Sequence, residues 1–163
     1  MKNYKKEYKH INNKNGITLV TLVITIIVLL IIASISIYVG TDIIKKANLQ
    51  NINTNMMLIQ AKTKTIYEQE RFNHTTNYKG TKITEVTGNS SVDELISKNI
   101  LEEADKFYLL TQNDLNEMGL EKINVDKGYA VNYETEEIVY VKGFEANNST
   151  YYKLSEMKNL NIE

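Results

Sequence analysis

The chain has 163 residues, no cysteine and no proline, with 19 basic against 20 acidic side chains. Without cysteine, disulfides, thiolate metal sites and a lipid-modified N-terminal cysteine are excluded. The balanced total hides an asymmetry, because residues 1–16 carry a balance of +4 and leave −5 for residues 17–163.

Residues 1–16, MKNYKKEYKHINNKNG, are short, polar and basic, with no apolar periodicity. Directly after them comes Ile17–Val39, ITLVTLVITIIVLLIIASISIYV, 23 residues without a charge. As a helix this run measures roughly 34 Å at ~1.5 Å per residue, enough to cross a hydrocarbon core of ~30 Å. Its Ile and Val content suits a strand, but strands usually stop at ~4–8 residues. A helix also satisfies its own backbone in lipid, which an open strand cannot do. The run is read as one transmembrane helix. The basic flank places the N-terminus in the cytoplasm and the remainder outside. A secretory signal peptide is the competing reading, with a mature chain starting after about Ser36. The apolar stretch of a signal is ~7–15 residues, shorter than this one, and Ala33-Ser34-Ile35-Ser36 is a weak cleavage point.

The junction KNG–ITLVTL resembles the start of type IV pilins and pseudopilins. Gly16, Ile17, Thr18 and Leu19 match the family pattern: a short basic leader ending in Gly, then a hydrophobic helix. The resemblance is specific over residues 14–35 and architectural beyond them. It implies cleavage after Gly16 by a membrane aspartyl prepilin peptidase, and N-methylation of the new terminus, Ile17. It also implies a pilus or pseudopilus subunit, with other pilin-like subunits and an assembly platform as partners. The family usually places a Glu five residues into the mature chain, where this sequence has Thr21. A lone charge in lipid persists only when paired, and Thr21 brings none. That departure points to a minor or initiating subunit rather than a bulk one. The family's helix-breaking Pro is absent too, and Gly40 is the nearest weak point.

Thr18, Thr21 and Thr25 share one helix face. They form either a packing stripe between helices in lipid or in a fibre core, or hydroxyls bonded back to their own helix. The second reading is favoured. After Gly40 the pattern turns amphipathic, with Ile52, Met56, Ile59 and Ile66 on one face and Lys45, Lys46, Lys62, Lys64 and Glu68 mostly elsewhere. No strong breaker precedes Asn73, so the sequence predicts one continuous helix from about Thr18 to Phe72. Residues 73–91 read as loop, turning at Gly80 and Gly88, with a short strand over Lys82–Val86. Ser91 and Glu94 form an expected capping box for a helix to about Lys98. Phe107–Leu110 reads as a strand. Thr111 opens a second short helix, with Asp114 in its first turn and Gly119 closing it. Gly128–Phe144 reads as a hairpin around Glu134–Glu137, with Lys122–Val125 as a partner strand and Tyr151–Leu154 as the last one.

No P-loop, nucleophile elbow, zinc-protease or dinucleotide motif is present. Glu102, Glu103 and Asp105, and Glu134, Glu136 and Glu137, lie in polar stretches and read as solvated faces. Acid–base work would need environments that separate their pKa values. Asn124–Asp126 with Gly128 is a faint Ca²⁺ hint against the 6–8 oxygen ligands such a site needs. His10 and His74 are too few for a metal centre. Asn-X-Ser/Thr triplets at Asn73, Asn89, Asn147 and Asn148 are expected from an Asn-rich composition. The tyrosines Tyr129, Tyr133, Tyr140, Tyr151 and Tyr152 suit a half-buried sheet, their rings packed and hydroxyls wet. The alternative for them is a surface gripping sugar or protein. The acidic remainder lacks the basic face of a nucleic-acid binder.

The expected fold is α+β: a long N-terminal helix with a transmembrane first half (17–39), an amphipathic continuation (40–72), and an extracytoplasmic head (73–163) on a small antiparallel sheet. The expected function is structural, without catalysis, cofactor or metal. A single-pass membrane-anchored binding module that is never assembled is the alternative.

Overall fold

The computed structural model describes residues 14–125 and 128–162, with side chains left out for 14–18 and 35–41. The basic residues 1–13, His10 among them, and Asp126 of the Ca²⁺ hint lie outside the described residues. Two compact units divide the chain, Met1–Ile43 and Ile44–Glu163.

Helix α1, Lys14–Asn73, runs through the expected interval without a break. In the first unit its described side chains 19–34 and Ile43 are exposed and Asp42 is half-buried, with the large aliphatics from Leu19 to Ile32 between 46% and 66% accessible. Among the described residues no helix is long and apolar enough to cross a membrane. Positions 19–34 alone fall short of the ~20 residues a span needs.

The second unit is α+β. Its sheet has five antiparallel strands in the order of the chain: β1 Thr81–Lys82, β2 Phe107–Leu110, β3 Tyr129–Asn132, β4 Ile138–Ala146 and β5 Ser149–Lys153. Three short helices accompany it: α2 Ser90–Ser97, α3 Gln112–Glu117 and α4 Leu154–Met157. On one face Leu49, Ile52, Met56 and Ile59 of α1 join Leu110, Tyr129, Val131, Ile138 and Tyr140 in the larger core. Their spacing along α1 is the apolar stripe that a 3.6-residue period requires. Ile66 packs against this core, half-buried. On the other face Val92 and Leu95 of α2 cover Phe107, Ala130, Val139 and Val141. Successive residues of a strand point to opposite faces. All four residues of β3 are therefore buried, because both faces of this central strand are covered.

Several local expectations are matched and four are corrected. β2 has the expected bounds, and Thr111 caps α3 in a reciprocal box with Asp114. Gly119, φ +73°, follows that helix. The hairpin forms, closed by Asn132, whose Oδ1 accepts from the backbone N–H of Glu134 at 3.0 Å and of Thr135 at 3.2 Å. Lys82–Val86 is not a strand: β1 stops at Lys82, and a 3-10 turn over Ile83–Glu85 drops Ile83 into the smaller core. Ser91 does not cap α2. Asn89 does, its Oδ1 accepting from the Val92 N–H at 3.3 Å, which leaves Glu94 to pair with Lys98 at 2.6 Å. Lys122–Val125 is not a partner strand. The Gln112 side chain donates to the Ile123 carbonyl and accepts from the Val125 N–H, while the Ile123 N–H turns back to the Leu120 carbonyl and the Val125 carbonyl accepts from the Gly128 N–H. The last strand ends at Lys153, and Leu154 already begins α4.

Candidate functional site

The residues expected to carry processing and assembly lie in the first unit. Gly16, Ile17 and Thr18 fall in the first turns of α1, which begins at Lys14, and only their helical backbone is described. Thr25 donates its hydroxyl to the Leu22 carbonyl at 2.8 Å, and Ser34 donates to Leu30 at 2.7 Å. Such back-bonds occupy hydroxyls within their own helix, the favoured reading for Thr25. Thr21 stands exposed on the same face. The exposed surface around it is almost wholly aliphatic, so this segment offers apolar area and shape rather than reactive groups.

In the second unit, the most densely organised polar-aromatic group is one that sequence reasoning found only in part. Tyr78 stacks on Tyr133 with centroids 4.4 Å apart and planes 9° from parallel. Tyr108 meets both edge-on, and Tyr67 of α1 stacks on Tyr78 at 6.4 Å. Buried Tyr133 donates its hydroxyl to the Lys79 carbonyl at 3.0 Å and accepts from the Lys79 N–H at 3.1 Å. One phenol thus ties the segment after α1 to the hairpin. Burial pushes the Tyr133 phenol far above the usual tyrosine range. Burial, with the neighbouring Tyr129, raises Tyr140 to about 12. Both phenols therefore stay neutral and act as packing and hydrogen-bonding groups. Tyr129 and Tyr140 are buried, and Tyr151 and Tyr152 are half-buried.

Carboxylates brace the same region. Glu70, near the end of α1, accepts from the Thr75 hydroxyl and the Asn77 N–H, both at 2.6 Å. Those two bonds, Thr75 first, hold its pKa below the ordinary value. Lys79 pairs with Glu117 at 2.7 Å. The two acidic clusters are split among lysines rather than gathered: Glu102 meets Lys153, Glu103 and Glu134 meet Lys106, and Glu136 meets Lys64. Among the described residues no group of His, Asp and Glu could hold a metal ion. His74 is an exposed loop residue.

A groove of about 540 Å³ runs between α1 and the C-terminal segment, from Lys46 to Met57 on one side and Met157 to Ile162 on the other. The Asn53 side chain donates to the Met157 carbonyl at 3.0 Å and fixes the two walls. No protein-family model, curated protein or solved structure matches this chain.

Proposed function

We propose that this chain is a pilin-like structural subunit. It is inserted in the membrane through Ile17–Val39, trimmed after Gly16 by a prepilin peptidase, and then added to a type IV pilus or to a secretion or competence pseudopilus. The observation that carries the reading is the junction itself: a +4 leader ending in Gly16, set against 23 uncharged residues. The amphipathic continuation of that segment, packed on an antiparallel sheet, supports it.

The same apolar surface serves twice, first against lipid tails and then against neighbouring helices. Both surroundings are apolar, so transfer between them exposes little to water. Thr21 brings no carboxylate to pair with a neighbour's terminal amine. The chain therefore enters as a minor or initiating subunit, its partners being other pilin-like subunits and the assembly platform.

The test is the intact mass of the membrane-extracted chain, with active and with inactivated prepilin peptidase. The reading expects residues 1–16 lost and one methyl group gained only in the first case. A chain that keeps its leader in both is a tethered module, and the assembly reading fails.

A further inference from the structure

We draw no further inference here: the strongest candidate, the face of α1 turned away from the sheet, where Leu58 and Phe72 stand exposed in line with Ala61 and Thr65, is an unpartnered apolar face, and nothing in the structure shows what covers it.

Discussion

Tyr133→Phe removes a single oxygen from the second unit and leaves every ring contact in place. The lost hydroxyl serves two backbone groups, the carbonyl and the N–H of Lys79, at 3.0 and 3.1 Å. Both belong to a half-buried residue. Leaving buried groups unmet costs about 1–3 kcal/mol each when solvent cannot reach them. Because Lys79 is only half-buried, water recovers part of this, and the expected loss is about 1–3 kcal/mol in all. For a unit of this size that is a fall in Tm of roughly 3–10 °C. Tyr78→Phe is the internal control. Its ring is stacked at 4.4 Å on the same partner, but Tyr78 is only half-buried, so the substitution should stay within about 0.5 kcal/mol. Thermal or urea unfolding of the three purified proteins, followed by circular dichroism, decides the matter. Equal losses for the two variants would refute the argument that the Tyr133 hydroxyl ties the segment after α1 to the hairpin.

Gly143 in β4 has φ +69°, and a Cβ there would sit 2.5 Å from a Thr150 methyl and 2.7 Å from the Tyr152 ring. Gly143→Ala should therefore cost at least about 1–3 kcal/mol from strain alone, measured by the same unfolding curves. Ile59→Ala opens the larger core at a fully buried position and should cost about 2–5 kcal/mol. Glu70 has a depressed pKa, so its share of stability is full above 4.5, its ordinary value, and is lost as pH falls below it. Glu70→Gln should flatten the acid limb of a stability–pH profile; an unchanged limb would show that its two 2.6 Å bonds carry nothing. Tyr133 and Tyr140 have raised pKa values, so they favour the folded state below the ordinary value of 10 and progressively less as pH rises past it. An ultraviolet titration should show these two phenols ionising only together with unfolding.

Local patterns in the sequence carried the elements whose signals are themselves local. The apolar face of α1, the bounds of β2 and the Thr111–Asp114 box all depend on residues within one or two turns. Capping of α2 was misplaced because Asn89, Ser90 and Ser91 are three successive residues able to cap, and only the backbone decides among them. The strand expected at Lys122–Val125 has the right β-branched residues, but the Gln112 side chain and local backbone turns take the bonds a ladder would have used. Tyr67, Tyr78, Tyr108 and Tyr133 come from four separate segments, so no short window shows that they meet. Ala130 and Asn132 alternate with Tyr129, Val131 and Tyr133 and so belong to the opposite face of their strand. Covering both faces of β3 is a tertiary fact, and it buries them. The groove likewise joins α1 to the last residues of the chain, more than a hundred positions away. The proposed processing junction is the opposite case, since its whole signal lies in consecutive residues.

The account turns on what becomes of the first sixteen residues, so the most direct measurement is the N-terminal residue of the chain recovered from sheared surface filaments. Ile17 carrying a methyl group, in amounts well below those of the bulk subunit, is the predicted result. A chain that still begins at Met1, absent from that fraction and confined to the membrane, would contradict it.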